Sequence, residues 1–261
     1  GLGMGVKCAS IFPGNPSLFP PQPSVNSMFL LFNESTGTVD SLIDGNFLTK
    51  WKTAGDSILG SRFLARPDSK TLTILGAGVV AESLISAYAD AFPKLEQALI
   101  WNRSHVRAEN LADRLTSLEL PVNAVLSLQE AVEKADILSS ATMSREPLIK
   151  GDWVQPGTHV DLIGAFRPDM READDDLLSK SRLFVDARET TLEDIGELMI
   201  PLESGVIGRE DVLGDFYDLC NGSERRTSDS EITLFKNGGG AHLDLMTAKY
   251  ICRVADSLQR F

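Results

Sequence analysis

A short apolar run followed at once by closely spaced glycines places the strongest constraint on the fold of this chain. Leu72–Leu75 reads as a strand buried on both faces, and Gly76-Ala77-Gly78-Val79-Val80-Ala81 follows before a helical pattern begins. In this context Gly-x-Gly-x-x-Ala predicts a dinucleotide-binding turn. We expect Gly76 to make the turn, Gly78 to let a pyrophosphate approach the backbone, and Ala81 to let the helix pack closely on the strand.

The end of the next strand is the place where such a fold binds the adenosine ribose. Gln97–Trp101 reads as that strand, and Asn102-Arg103-Ser104 follows it. An NAD site needs Asp or Glu there, to accept from both ribose hydroxyls, whereas an arginine pairs with a 2′-phosphate. We therefore expect NADPH, with NADH as the weaker alternative. Arg103 as a solvated loop cation is the other interpretation.

Strands and helices alternate from residue 68 to residue 236, which predicts an α/β domain with a doubly wound, mostly parallel sheet of the Rossmann type. Its expected later elements include a helix that begins with an acidic first turn at Glu172, helices over Thr190–Leu198 and Glu210–Asp218, and a last strand over Ile232–Lys236. We expect this domain to bind NADP(H).

The carboxyl ends of the parallel strands should form the ligand site, near the switch in strand order. Thr142 and the glycines are expected to meet the nicotinamide, and Phe166 to wall it unless Phe166 is an ordinary core residue. The complete predicted cofactor-binding set is Gly76, Ala77, Gly78, Val79, Val80, Asn102, Arg103, Ser104, Ala141, Thr142, Met143, Gly164, Phe166, Lys236, Gly238 and Gly239.

Residues 1–67 and 237–261 are expected to form a smaller mixed α+β domain, with its boundary at the polar turn Arg66-Pro67-Asp68. Three strand-like runs predict a small antiparallel meander, and two helices are expected over Asn46–Ala65 and Leu243–Leu258. Lys7 lies in the middle of a strand, where a lysine is usually an edge residue in water. Lys52 lies on a helix, and the pattern alone does not single it out.

Charge and composition exclude several classes of protein. The net charge of −12 disfavours nucleic acid and anionic membranes as partners. There is no apolar window of about 18 residues and no secretory pattern, so we expect a cytoplasmic protein without a membrane span. The three cysteines lack metal spacing and are expected to be free, mostly buried thiols. The three histidines are scattered, so no metal site is expected.

Several motifs together resemble the ornithine cyclodeaminase and μ-crystallin family over nearly the whole chain. They are Val6-Lys7, Phe12-Pro13-Gly14-Asn15, Leu48-Thr49 with Thr53-Ala54, Ile74-Leu75-Gly76-Ala77-Gly78, Glu146-Pro147, Trp153–Gly157 leading to Gly164-Ala165, and Glu231–Lys236. The resemblance implies NAD(P) chemistry on small amino or imino acids. It also implies a homodimer and a split substrate-and-dimerisation domain, in which Lys7 and Lys52 hold the substrate carboxylate.

Three departures from the cyclodeaminase pattern matter. Phe166 stands where the cyclodeaminase pattern reads Gly-Ala-Asp, and the resemblance implies that this Asp is the catalytic acid and base. Lys52 stands where the family usually has an arginine, so a cation remains but its bidentate fork is lost. Family members also carry a stretch before the Lys7 strand that makes further substrate contacts. This sequence begins almost at that strand, so either a truncated chain or an incomplete substrate pocket is expected.

The ketimine-reductase branch of the family is more similar to this chain. Its Gly-Ala-x-Arg/Thr-Pro-x-x-Arg-Glu segment is close to Gly164–Glu172, and its second strand ends in Asn-Arg-Ser/Thr. The resemblance implies NADPH-dependent reduction of a cyclic imino acid, such as Δ1-pyrroline-2-carboxylate to proline. Alternatives are an NAD-dependent ornithine cyclodeaminase that releases proline and ammonia, a non-catalytic μ-crystallin-like binder of NADPH or small ligands, and a hydroxyproline dehydratase.

Overall fold

The chain divides into two units, 1–53 with 239–261, and 54–238. The computed structural model describes residues 3–12, 14–23, 25–222 and 224–258, so Pro13 of the family motif lies outside the described residues. The division between the two units does not fall at the expected boundary, the turn Arg66-Pro67-Asp68. It falls within a helix, because Ala54 and Ile58 on the second half of that helix belong to the core of the larger unit.

The elements, in chain order, are β1 (Met4–Ile11), β2 (Val25–Phe32), β3 (Val39–Asp44), α1 (Gly45–Leu64), β4 (Thr71–Leu75), α2 (Val79–Ala91), β5 (Gln97–Trp101), α3 (His105–Arg114), β6 (Val122–Ala124), α4 (Leu128–Glu133), β7 (Ile137–Ser140), β8 (His159–Leu162), α5 (Asp175–Lys180), β9 (Arg182–Val185), α6 (Arg188–Thr191), α7 (Gly196–Glu203), β10 (Val212–Gly214), α8 (Phe216–Asn221), β11 (Thr233–Lys236) and α9 (Ala241–Leu258). Short 3₁₀ turns begin at Asn15, Gly151 and Arg209. None of the described helices combines the length and apolar character that a bilayer crossing needs.

The smaller unit contains the predicted antiparallel meander, in the order β1-β2-β3. Alternation along the strands separates two faces. Phe29, Leu31 and Ile43 are buried on one face, where they pack with Ala248 of α9. The exposed residues Val6 and Leu42 lie on the opposite face, so the middle of that face is apolar and is uncovered within the described chain.

The larger unit contains an eight-stranded sheet in the order β10-β9-β11-β8-β7-β4-β5-β6. All its pairs are parallel, and β4, β7, β8 and β11 are buried at every position. The order reverses direction between β4 and β7, as in a Rossmann sheet. The last strand, β11, is inserted between β8 and β9, a position that local sequence patterns do not reveal.

Helices pack on both faces of this sheet. Leu72 and Ile74 of β4 share a core with Leu84 of α2. Leu75, on the other face of the same strand, belongs to a core with Val132 of α4 and residues of α5. The predicted doubly wound α/β class is confirmed.

A buried carboxylate connects the helices of one face to the centre of the sheet. Asp161 of β8 accepts hydrogen bonds from Ser57 of α1 (3.0 Å), Tyr88 of α2 (3.1 Å) and Ser139 of β7 (2.7 Å). Burial raises the pKa of Asp161 to about 6, although these bonds and the cation of Lys236 oppose the shift. The hydroxyl donors thus give a desolvated carboxylate the partners that it needs.

Several local predictions were wrong. The helix expected at Glu172 begins at Asp175, because the side chain of Asp174 caps it by accepting from the Leu177 N–H at 3.0 Å. The span Glu210–Asp218 contains strand β10 and only then a helix, whose start is capped by Asp215. Thr190–Leu198 is split between the end of α6 and the beginning of α7. Cys8 and Cys220 are exposed rather than buried.

Candidate active site

The loops that follow four neighbouring strands, β11, β8, β7 and β4, lie along one edge of the parallel sheet. The segments singled out by the sequence, at residues 76–78, 141–143, 164–167 and 236–238, lie at or just after the ends of these strands. The structure therefore brings those segments to the same edge, at the switch between β4 and β7 where α/β proteins bind ligands. Gly239, the last member of the predicted set, belongs to the smaller unit.

The glycine turn has the geometry that a pyrophosphate cradle requires. Gly76 has a φ of 112°, and a Cβ there would lie 2.8 Å from the Ala141 carbonyl oxygen. Gly78 is the N-cap of α2 without a side-chain cap, and nothing lies within 4 Å of the position of its missing Cβ. Ala81 is fully buried against the sheet. The turn thus leaves an open approach to the helix N-terminus, whose N–H groups and dipole favour phosphate.

A cavity of about 350 Å³ opens beside this turn. Eight of the predicted cofactor residues line it: Gly76, Ala77, Gly78, Asn102, Arg103, Ala141, Thr142 and Met143. Four further lining residues were not predicted: Trp101, Arg107, Ser144 and Leu148. The cavity therefore extends from the glycine turn to the end of β5 on one side and to the loop after β7 on the other.

Two arginines stand at the β5 side of the cavity. Arg103 follows the strand, and Arg107 lies in the first turn of α3. Both side chains are exposed. The sequence signal for Arg107 was its place in the first turn of the helix that follows Asn102-Arg103-Ser104, because the start of that helix lies beside the end of β5. Together they make a local cationic patch on a chain of net charge −12.

The other predicted cofactor residues of this unit do not line the cavity. Val79, Val80 and Ser104 begin helices beside it. Phe166 is 55% exposed, which rules out the alternative that it is a core residue. Gly164 has a packing role, since a Cβ there would lie 1.8 Å from the Thr142 carbonyl oxygen. The two loops after β7 and β8 are therefore in direct backbone contact.

A fully buried carboxylate, Glu172, joins those two loops. Its Oε1 accepts from the Ser140 hydroxyl (2.5 Å) and from the Thr142 N–H (2.8 Å) and hydroxyl (2.6 Å), while its Oε2 accepts from the Gly164 N–H (2.6 Å). Burial raises the pKa of Glu172, and these hydrogen bonds and the charge of Lys236 oppose that rise. The sequence signal was the Arg-Glu pair that ends the reductase-like segment, interpreted only as the start of a helix.

Lys236 is a correction to the predicted site. Its side chain is fully buried, and Nζ donates to the carbonyl oxygens of Leu162 (3.0 Å) and Asn237 (2.7 Å) rather than facing the cavity. Burial lowers the pKa of Lys236, whereas the charges of Glu197, Glu172, Asp186 and Asp161 raise it. Lys236 is therefore an internal counter-ion for the acids beneath the site. Gly238 donates its N–H to Asp186 at 2.9 Å.

The predicted substrate lysines lie within the smaller unit. Lys7 Nζ donates to the Thr49 hydroxyl (2.5 Å) and to Asp244 (3.0 Å), so Lys7, although it lies on the edge strand β1, is paired rather than free in water. An ammonium has three donors, and the described residues engage two of them. Lys52 lies three residues after Thr49, and its Nζ is 3.2 Å from the position of a Cβ on Gly239. Both cations therefore point towards the chain that begins α9.

No metal centre is formed by the described residues. Within residues 3–12, 14–23, 25–222 and 224–258, no group of three or more His, Cys, Asp and Glu side chains is arranged to hold a metal ion.

Comparison with known proteins places this geometry in context. The Δ1-pyrroline-2-carboxylate reductase of Paracoccus denitrificans (strain Pd 1222) is 53% identical over 255 residues, which cover 97% of this chain and 80% of the relative. The structure of Thermococcus litoralis Δ1-pyrroline-2-carboxylate reductase in complex with NADH and L-proline matches with a TM-score of 0.88 and 35% identity, over 95% of this chain and 76% of the other. An archaeal alanine dehydrogenase dimer with bound NAD matches with a TM-score of 0.89 and 28% identity, over 98% and 78%.

The family model described as "Ornithine cyclodeaminase/mu-crystallin family" matches residues 2–258, which is nearly the whole sequence. This confirms the resemblance predicted from the motifs, and the 53% identical relative agrees with the reductase branch. The chain belongs to the ornithine cyclodeaminase/mu-crystallin family.

Proposed function

We propose that this chain reduces a cyclic imino acid of the Δ1-pyrroline-2-carboxylate type to an L-amino acid such as proline, with NADPH as the hydride donor. The observation that carries the proposal is the cavity at the switch point of the Rossmann sheet, lined by the glycine turn and two arginines. The wider class, an NAD(P)-dependent oxidoreductase that acts on C=N bonds, agrees with the names of the similar proteins.

The cavity fits a dinucleotide on three grounds. The open N-terminus of α2 suits a pyrophosphate, since its N–H groups have no side-chain cap. Arg103 and Arg107 suit a 2′-phosphate through charge-assisted hydrogen bonds. Thr142 and Met143 border the other end, on the far side of the switch point, where the nicotinamide half would lie.

The chemistry divides between cofactor and protein. The nicotinamide supplies the hydride, which adds to the imine carbon while a proton completes the amine nitrogen. A protonated iminium already carries that proton. The reaction therefore does not need an acidic side chain at the position of the exposed Phe166, where the cyclodeaminase pattern has an aspartate. The protein then contributes mainly positioning and electrostatics, with Lys7 and Lys52 holding the substrate carboxylate.

The direct assay mixes purified protein, NADPH and Δ1-pyrroline-2-carboxylate and follows the absorbance of the reduced nicotinamide. We expect NADPH oxidation with formation of proline, and no release of ammonia when ornithine and NAD⁺ are supplied instead. Proline and ammonia from ornithine without net cofactor use would identify a cyclodeaminase. NADPH binding without turnover would identify a binder, and either result would contradict the proposal.

The same assay tests the role of Lys52 with a matched pair of variants on α1. Lys52→Ala removes a proposed carboxylate partner and should raise the KM for the imine by about 10- to 100-fold, the range for a lost charged hydrogen bond. Lys50→Ala, two residues earlier, removes a cation that stacks on Trp51 and should leave that KM unchanged. Equal KM values in both variants would remove Lys52 from the site.

Coenzyme preference tests the arginine pair. Arg103→Asp replaces the proposed 2′-phosphate partner with an acceptor for ribose hydroxyls, so the ratio of kcat/KM for NADPH over NADH should fall by about 100-fold or more. Arg114→Ala is the control, because Arg114 lies at the end of α3, the helix that follows Arg103, and pairs with Glu82 at 3.2 Å outside the cavity lining. A wild-type enzyme that prefers NADH, or an unchanged ratio in Arg103→Asp, would contradict the assignment.

We also propose a homodimer formed through the uncovered face of the β1–β3 sheet. Val6, Leu30 and Leu42 lie in one row across that face, and Leu42 is 64% exposed. Apolar surface of this kind marks interaction sites. Light scattering after gel filtration should give a dimeric mass for the wild type and a monomeric mass for Leu42→Glu. A monomeric wild type would refute the dimer, and a dimeric Leu42→Glu would place its interface elsewhere.

A further inference from the structure

The loop that borders the far end of the cavity is held from beneath rather than from the cavity side. Thr142, Met143 and Ser144 line the cavity, whereas Glu172 is fully buried and is not among the lining residues. Yet both the N–H and the hydroxyl of Thr142 donate hydrogen bonds to Glu172. The position of this stretch of lining is therefore set by a carboxylate that does not face the cavity.

The hydrogen bonds from Ser140, Thr142 and Gly164 to Glu172 form a clamp that is tightly packed. A Cβ on Gly164 would lie 1.8 Å from the Thr142 carbonyl oxygen and 2.6 Å from Glu172 Oε1, so the loops after β7 and β8 and the carboxylate leave no room for a side chain between them. All four donors to Glu172 point at one or other of its two oxygens. A carboxylate accepts from both sides, whereas an amide of the same shape accepts at one end only.

The backbone of Glu172 is fixed in turn by a second acid. Glu197 of α7 accepts from the N–H groups of Glu172 (2.8 Å) and Ala173 (2.9 Å). Lys236 lies among the acids of this cluster and favours their charged forms, and Asp161 and Asp186 complete the set of charges that act on it. Segments from β8, β11, α7 and the loop before α5 thus converge beneath the β7 loop.

We propose that Glu172 is a positioning residue for the nicotinamide half of the dinucleotide site, acting through Thr142 and Gly164 without touching the cofactor. The inference rests on the proposed function, because it assumes that the cavity binds a dinucleotide. Adenosine is expected at the β5 side, near Arg103, and the nicotinamide at the β7 side, across the switch point. Loosening the clamp should therefore affect one half of the ligand and not the other.

Glu172→Gln is the principal test, with ligand affinities measured by quenching of tryptophan fluorescence. The variant turns an amide NH₂ towards N–H or O–H donors, so the affinity for NADPH should fall by about 10- to 100-fold and kcat for the imine should fall with it. The affinity for adenosine 2′,5′-bisphosphate, which lacks the nicotinamide half, should stay at the wild-type value. A purely structural role would weaken both ligands together or neither.

Two further variants keep the test decisive. Ser140→Ala removes one of the four donors at a buried position off the cavity lining, and should show the same selective loss at about 3- to 10-fold. Asp136→Asn is the control, since Asp136 accepts from the Lys70 and Thr71 N–H groups at the opposite edge of the same sheet. It should lower the melting temperature and leave both affinities unchanged.

The outcomes separate the two hypotheses. Wild-type protein that binds neither ligand refutes the proposed function itself. Wild-type protein that binds NADPH, with a Ser140→Ala variant that binds it equally well, overturns the positioning role of Glu172 while leaving the function intact. If Glu172→Gln does not fold, Ser140→Ala alone decides between these results.

Discussion

Close backbone contact at the carboxyl edge of the sheet is the constraint on which the site depends. Gly76 lets the Ala141 carbonyl approach the first turn, and Gly164 lets the Thr142 carbonyl approach the loop after β8. Neither contact tolerates a Cβ, and both need neighbouring parallel strands that end together. The interdigitated side chains on both faces of β4, β7, β8 and β11 hold those strands in register. Packing in the core thus determines how accurately the loops at the carboxyl edge are positioned.

Charge is distributed in two layers at that edge. Arg103 and Arg107 face the cavity and offer cations to an anionic ligand, on a chain whose overall field is negative. Beneath the loops, Glu172, Glu197 and Lys236 are buried together, and burial together with the charge of Glu172 raises the pKa of Glu197 to about 7. Buried charges are tolerated only when they are paired and hydrogen-bonded. Here the two carboxylates accept from N–H and hydroxyl groups, and Lys236 donates to the carbonyl oxygens of Leu162 and Asn237.

The parts of this structure that sequence predicted well are those with local signals. The glycine turn, the alternation of strands and helices and the antiparallel meander each follow from patterns within a few residues, and Arg107 lies only four residues beyond the predicted Arg103. The insertion of β11 between β8 and β9 depends on long-range packing, such as the contact of Phe235 with Gly60 of α1. Lys236 and Glu172 were misinterpreted because burial is decided by segments distant in sequence, and no local pattern distinguishes a buried counter-ion from a ligand contact.

The smaller unit shows the same limit from another direction. Its meander was predictable, but the hydrogen-bond partners of Lys7 are Thr49 of α1 and Asp244 of α9, which are far apart in the sequence. Similarity to a pyrroline-carboxylate reductase and the geometry of the Rossmann cavity support one account, in which hydride passes from a bound dinucleotide to an imine carbon.

The most direct measurement is the fate of that hydride. With NADPH that carries deuterium on the transferred position of C4, and Δ1-pyrroline-2-carboxylate as substrate, the account predicts L-proline with one deuterium at the α-carbon, seen by mass spectrometry and NMR. Proline without deuterium at the α-carbon, or deuterated cofactor that remains unchanged in the presence of the imine, would contradict it.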